Sequence, residues 1–115
     1  MHMENAIVSS QDDQTKKYEE FNMLQRQMQM VSIQKQQLTM EIMTIDNSIV
    51  ELGKASGKVY KAAGMLLVEK GKDELKKDLE ETKETLKMRQ ELLSKQESRI
   101  KSRLESLAKE LQSSA

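Results

Sequence analysis

Cysteine and proline are absent from this 115-residue sequence, and only three residues are aromatic. Without cysteine there can be no disulfide and no thiol chemistry. Without proline, nothing in the chain prevents very long helices. With 37% hydrophobic and 33% charged residues, the composition is typical of one domain whose long helices bury a narrow seam.

The sequence also lacks an excess of either charge, and it lacks long apolar runs. Nineteen Lys and Arg balance nineteen Asp and Glu, so the basic face that nucleic acid requires is not evident. The apolar runs are far too short to span a bilayer, and no apolar h-region follows the first residues, so we expect no signal peptide. A membrane-surface helix would need a basic excess on its polar face. We therefore expect neither nucleic acid nor a membrane as a partner.

Catalytic and metal-binding motifs are equally scarce. His2 is the only histidine, which excludes a histidine triad or a histidine metal cluster. The carboxylates occur as helical surface pairs with lysine, such as Glu80 with Lys83, which is typical of solvated faces. No glycine-rich phosphate loop of the G-x-x-x-x-G-K-[ST] kind is present. We predict that the protein is not an enzyme and needs no cofactor or metal.

A heptad seam runs through the first half of the chain. Its ten positions alternate in steps of three and four residues, and nine are apolar, which predicts a coiled-coil helix. We expect this helix to begin near Ser10 and to end near Leu52, with Gly53 as its stop. The seam positions are Phe21, Leu24, Met28, Val31, Lys35, Leu38, Ile42, Ile45, Ile49 and Leu52.

A second helix is predicted from Asp73, which is a good N-cap residue after Gly71. Its apolar residues recur every seven positions, and the companion seam position three residues on is mostly polar. From Ile100 the spacing changes, which we interpret as a local change of phase. The repeating residues are Leu79, Leu86, Leu93, Ile100 and Leu107, the companion positions are Leu75, Thr82, Arg89, Gln96 and Arg103, and the last stretch reads Ile100, Leu104, Leu107 and Leu111.

The segment between the helices has the composition of a β-hairpin. Val59-Tyr60-Lys61 and Met65 to Glu69 read as strands, and Ala62-Ala63-Gly64 as the turn, where Gly64 can take a positive φ. The alternative is a loop that packs its apolar residues on the end of the coiled coil. An isolated hairpin is marginal in water, and its edges present unpaired backbone groups, so we expect partner strands from other chains. The assembly residues are Val59, Tyr60, Met65, Leu66, Leu67 and Val68.

Together these patterns predict a mainly α fold, in which a long antiparallel coiled-coil helical hairpin carries one central β-hairpin that pairs with strands of other chains to close a sheet or a barrel. The predicted division is a flexible N-terminus at 1–9, helix 1 at 10–54, the β-hairpin at 55–72, helix 2 at 73–112 and a flexible C-terminus at 113–115.

Apolar residues are more numerous than the seam requires. Five of them lie off the seam of the first helix, and they either support a neighbouring helix or form an adaptable surface that accepts many partners. They are Met23, Met30, Ile33, Met40 and Met43.

A second set of apolar residues, which we name the terminal cluster, lies where the two helix ends meet. We interpret it as a client-binding surface rather than a closed core. The terminal cluster is Tyr18, Phe21, Met23, Leu24, Met28, Ile100, Leu104, Leu107 and Leu111.

The segment VYKAAGMLLVEKGKDEL between two long helices resembles the β class of prefoldins, and SIQKQQLTMEI at Ser32–Ile42 resembles their first helix. The single predicted hairpin resembles that of the archaeal β subunits, whereas subunits of the α class have two hairpins. The resemblance implies that the β-hairpin assembles into an intersubunit β-barrel. It also implies a cytoplasmic hexamer of two α-type and four β-type subunits that holds unfolded polypeptides without ATP and passes them to a group II chaperonin. The alternative is a structural or scaffolding coiled coil that binds one specific partner.

Overall fold

The chain forms two long helices joined by a two-stranded hairpin in a computed structural model. The structure describes the backbone of residues 2–113 and the side chains of residues 11–113. The elements are α1 (His2–Lys54), β1 (Val59–Ala63), β2 (Leu66–Lys70) and α2 (Lys72–Ser113). Of the predicted flexible C-terminus at 113–115, Ser113 ends α2, and the last two residues lie outside the described part of the chain.

Backbone packing divides the chain into two compact units. The terminal unit comprises Met1–Gln34 and Leu93–Ala115, and the hairpin unit comprises Lys35–Leu92.

In each unit, α1 runs antiparallel to α2, as the order of the polar contacts between the helices shows. Within the terminal unit, Lys17 pairs with Glu110 and Glu20 with Arg103. Within the hairpin unit, Thr39 pairs with Gln90 and Asp46 with Lys83. In both cases the position on α2 falls as the position on α1 rises. The predicted antiparallel helical hairpin is confirmed.

The predicted seam of α1 is also confirmed. All ten positions are buried or half-buried, while their neighbours on the outer side are exposed. Val31, Ile42 and Leu52 are the most buried members. Lys35 lies half-buried in the seam, as a long side chain can when its methylenes pack against apolar neighbours.

The seam of α2 differs from the prediction. The companion to each repeating leucine or isoleucine lies four residues after it, not three. Of the predicted companions, Leu75 is half-buried, whereas Thr82, Arg89, Gln96 and Arg103 are exposed. The positions that do face α1 are Lys83, Gln90, Glu97, Leu104 and Leu111, all buried or half-buried.

Two polar members of this seam account for the difference from the predicted pattern. Lys83 forms an ion pair with Asp46, and the Gln90 side-chain amide donates a hydrogen bond to the Thr39 hydroxyl at 2.9 Å. When its terminal polar group has a partner, a long polar side chain can occupy a seam position that a sequence pattern would assign to an apolar residue. The heptad phase therefore continues unchanged from Leu79 to Leu111, and the predicted change of phase after Ile100 was wrong.

The ends of the helices also shift from the predicted positions. The backbone of α1 is helical from His2 rather than Ser10; the intervening residues contain no glycine or proline that would interrupt it. At the other end, the helix continues through Gly53, because the Ala55 amide donates to the carbonyls of Glu51 and Leu52 at 3.1 and 3.2 Å. The left-handed backbone after α1 belongs to Gly57, with a φ of 87°.

The N-cap of α2 lies two residues before the predicted one. The Leu75 amide donates to the Gly71 carbonyl at 2.9 Å, which makes Gly71 the N-cap and places Asp73 in the first turn, where its charge favours the helix dipole. The Lys72 ammonium donates to the carbonyls of Gly53 and Ala55 at 3.3 and 3.0 Å. This lysine thus satisfies carbonyls at the C-terminal end of α1.

The revised α2 seam can be tested with two glutamines six residues apart. Gln90→Leu should raise the free energy of unfolding by about 1 kcal/mol, because an apolar side chain then fills a seam position. The Thr39 hydroxyl would keep its hydrogen bond to the Lys35 carbonyl. Gln96→Leu, on the exposed side, should change stability by less than about 0.5 kcal/mol. Urea unfolding of both variants measures this; a larger gain from Gln96→Leu would contradict the revised seam.

Candidate assembly and client-binding surfaces

The central segment is a β-hairpin with a two-residue turn. Its strands pair antiparallel from Val59 opposite Lys70 to Ala63 opposite Leu66. The turn is therefore Gly64-Met65 rather than the predicted Ala62-Ala63-Gly64, and Met65 leaves the strand. Gly64 has a φ of 62°, as expected, because a tight hairpin turn needs positive φ at this position and glycine adopts it without strain.

The hairpin exposes apolar side chains on both of its faces. Ala62 opposite Leu67 lies on one face, and Lys61 opposite Val68 lies on the other, since side chains alternate along a strand. Leu66 and Leu67 are 70% and 74% exposed. Of the six predicted assembly residues, Val59 is half-buried and the other five are exposed.

Both strands have an open edge within the described part of the chain, since the sheet there contains only β1 and β2. In a two-residue hairpin, Ala63 and Leu66 form a hydrogen-bonded pair, and such pairs alternate with non-hydrogen-bonded ones. The next non-hydrogen-bonded pairs are Ala62 with Leu67 and Tyr60 with Glu69. Their backbone N–H and C=O groups point outward, where an added strand would bind them.

Polar anchors tie the hairpin to the first turns of α2. The Lys70 ammonium donates to the Asp78 carboxylate at 2.9 Å and lies 3.6 Å from Glu74. The hydrogen bond with Asp78 raises the pKa of Lys70, and the same bond lowers the pKa of Asp78. Lys61, on the same face of the hairpin, further lowers the pKa of Asp78 through its charge. These contacts orient β2 against the helix.

The structure brings most of the terminal cluster together inside the terminal unit. Seven of its nine members lie in the seam: Ile100, Leu107 and Leu111 are buried, and Phe21, Leu24, Met28 and Leu104 are half-buried. Only two of the nine, Tyr18 and Met23, are exposed. Contact between the seven seam residues and a client would require that the turns of the two helices separate.

Two polar residues that the sequence pattern places in the α2 seam of the terminal unit, Gln96 and Arg103, lie outside it. Arg103 instead donates two hydrogen bonds to the Glu20 carboxylate, at 2.7 and 3.0 Å. This bidentate geometry is the favourable one for an arginine and a carboxylate. The guanidinium holds the pKa of Glu20 below its ordinary value of 4.5.

The apolar residues predicted to lie off the α1 seam are all exposed, as expected: Met23, Met30, Ile33, Met40 and Met43. The sequence reading missed three more exposed apolar residues, Val50 on α1 and Met88 and Leu92 on α2. Val50 follows Met43 by one heptad, and this spacing could have identified it.

Among the residues whose side chains the structure describes, no group of three or more His, Cys, Asp or Glu could hold a metal ion. No helix in the described part of the chain is long and apolar enough to cross a membrane.

Comparisons with known proteins agree with this geometry. A family model described as "Prefoldin subunit" matches residues 15–115. Among solved structures, the chain is similar to the crystal structure of the prefoldin beta subunit from Thermococcus strain KS-1, with a TM-score of 0.81 and 29% sequence identity. The match covers 88% of this chain and 90% of that chain. A search of curated proteins found no match.

The Glu20–Arg103 pair predicts a pH-dependent contribution to stability. Because the pKa of Glu20 is lowered in the folded chain, its contribution is present above about pH 4.5 and is lost as the pH falls through the folded-state pKa. Glu20→Gln should therefore lower the urea midpoint at pH 7 and leave it unchanged at a pH well below 4. Glu19→Gln, an exposed neighbour, is the control and should have little effect at either pH. An equal loss from Glu20→Gln at both pH values would show that the ion pair is not its cause.

Proposed function

The chain belongs to the prefoldin subunit family as a β-type subunit, and from this premise we propose that it is part of a holdase. In this proposal, it assembles with α-type prefoldin subunits and with other copies of itself into a hetero-hexamer of two α and four β subunits. The assembly acts in the cytoplasm, holds unfolded polypeptides without ATP and transfers them to a group II chaperonin.

The observation that carries the assembly proposal is the open β-hairpin. Leu66 and Leu67 are largely exposed, and both strand edges are open within the described chain. Strands from other subunits would satisfy the outward backbone groups of Ala62 and Leu67 and would cover the apolar side chains. The same step buries apolar surface, which favours association by roughly 25 cal/mol per Å².

Client binding is proposed for the terminal cluster. Unfolded polypeptides present apolar segments in any order, and an apolar surface binds them without reading their sequence. Tyr18 and Met23 are exposed for a first contact. Separation of the last helical turns would add seam residues such as Phe21 and Leu104. Several subunits acting together would turn weak contacts into useful avidity.

The closed seam in the terminal unit favours one second candidate function, a scaffold that binds a single folded partner. With Leu107 fully buried, the terminal cluster offers only two exposed members, which would suit a small specific contact. Suppression of aggregation of several unrelated unfolded proteins would support the holdase. Selective binding of one folded protein, without such suppression, would support the scaffold.

The assembly proposal predicts that Leu67→Asp abolishes the oligomer. An added strand would desolvate the new carboxylate without a partner, at a cost of several kcal/mol, while the helices keep their seam. The control is Leu92→Asp, which places the same charge at a similarly exposed leucine of α2. Analytical ultracentrifugation with the α-type subunit should show loss of the hexamer for Leu67→Asp alone, and circular dichroism should show unchanged helix. An intact Leu67→Asp hexamer would exclude the hairpin as the assembly element.

The client-binding proposal predicts that removal of residues 1–24 and 104–115 separates assembly from protection. Both segments belong to the terminal unit, and pairs such as Lys17–Glu110 show that they are seam partners. The shortened chain should therefore form the hexamer, because its hairpin unit is complete. It should lose most of its protection of an unfolded client, as measured by light scattering during aggregation. Full protection by the shortened assembly would remove the terminal cluster from the client-binding surface.

A further inference from the structure

The outer surface of α1 carries no charge between residues 37 and 50, and this uncharged stretch ends where the paired Glu51 and Lys54 follow on the same side of the helix. Between residues 37 and 50, Glu41 and Asp46 are the only charged residues. Both lie beside the seam, next to Ile42 and Ile45, and Asp46 pairs with Lys83 of α2. We name the remaining outer surface the neutral face; it consists of Gln37, Met40, Met43, Thr44, Asn47 and Val50, all exposed.

The neutral face is unusual for this protein, in which one residue in three is charged. The outer side of α2 in the same unit follows the usual pattern: Glu84 and Glu91 accompany its exposed Met88 and Leu92. On α1, by contrast, the spacings of three and four residues place Met40, Met43 and Val50 along one surface with only uncharged neighbours between them.

The hydroxyl group on the neutral face is already satisfied inside the helix. The Thr44 hydroxyl donates to the Met40 carbonyl at 3.0 Å, and beside the face the Ser48 hydroxyl donates to the Thr44 carbonyl at 2.9 Å. A ligand that covers Thr44 can therefore contact its methyl group without depriving the hydroxyl of its acceptor. Covering this surface costs less desolvation than covering a charged face would.

We infer that the neutral face is a second client-binding surface, which takes extended apolar segments of unfolded polypeptides. This inference rests on the proposed holdase function. Methionine side chains adapt to ligands of different shape, and the absence of charge lets acidic and basic clients bind equally well. Met40, Met43 and Val50 are each more than half exposed, so together they offer roughly a few hundred Å² of apolar surface.

This area is too small for the neutral face alone to hold a second copy of the chain. A stable interface buries about 800 Å² per partner, well above what Met40, Met43 and Val50 provide. A weak, reversible contact with a mobile segment requires much less area, and its strength grows when it acts together with the terminal cluster.

The test uses the assembled oligomer with the triple change Met40→Gln, Met43→Gln and Val50→Thr. These side chains keep the approximate size of the originals and remove their apolar character. The matched control is Met88→Gln with Leu92→Gln, which removes exposed apolar residues of the same unit from the charged side of α2. The probe is a fluorescently labelled protein that is kept unfolded by reduction and carboxymethylation, and its binding is followed by fluorescence anisotropy.

The triple variant should form the same oligomer and bind the unfolded probe about tenfold more weakly, whereas the control should stay within about twofold of the unchanged chain. Equal affinity of the triple variant and the unchanged chain would overturn the inference that the neutral face binds clients. It would not contradict the proposed holdase function. No binding of the probe by the unchanged assembly would instead overturn the holdase function, and the inference with it.

A photo-crosslinking residue at Thr44 identifies the occupant directly. Cross-links to the unfolded probe are the expected result. Cross-links only between subunits would overturn the inference, because they would show that another copy or an α-type subunit covers the face.

Discussion

Burial of one narrow apolar seam between α1 and α2 is the interaction on which the rest of the structure depends. The described chain has a small core, and no polar side chain is buried in it. Each unit is held by its own part of this seam, with Val31, Ile100 and Leu107 in the terminal unit and Ile42 and Leu86 in the hairpin unit. Because so few side chains leave water, the pairing of the helices determines how the hairpin is presented and how much apolar surface stays exposed.

Polar residues within the seam make its register specific. A heptad seam that is apolar throughout could slide by seven residues and bury nearly the same surface. Such a slide would move Lys83 from Asp46 to the neighbourhood of Thr39 or Gly53 and would break the observed ion pair. A half-exposed pair of this kind adds little to stability. Its physical effect is to disfavour the alternative registers, in which a charge would lose its partner.

The β-hairpin depends on contacts outside itself. Within the described chain, its apolar residues cover no core, and Lys70 holds it to Asp78 and Glu74 through polar contacts. Lys72 adds a link to the carbonyls of Gly53 and Ala55. These contacts set the orientation of the strands but leave Leu66 and Leu67 exposed. Membership in the prefoldin family accounts for these exposed apolar residues, since prefoldin subunits work as parts of an assembly.

The sequence by itself determined the order of helix, hairpin and helix, the whole α1 seam and the outward position of Met40 and Met43, because these follow from local periodicity. It could not determine that Lys83 rather than Thr82 faces α1, since that choice depends on Asp46, a residue far away in the chain. For the same reason it placed the turn too early: the two-residue turn follows from the pairing of β1 with β2. The terminal cluster shows the same limit. A heptad pattern marks which residues are apolar, but only the packing of both helices decided that most of the cluster lies inside a closed seam.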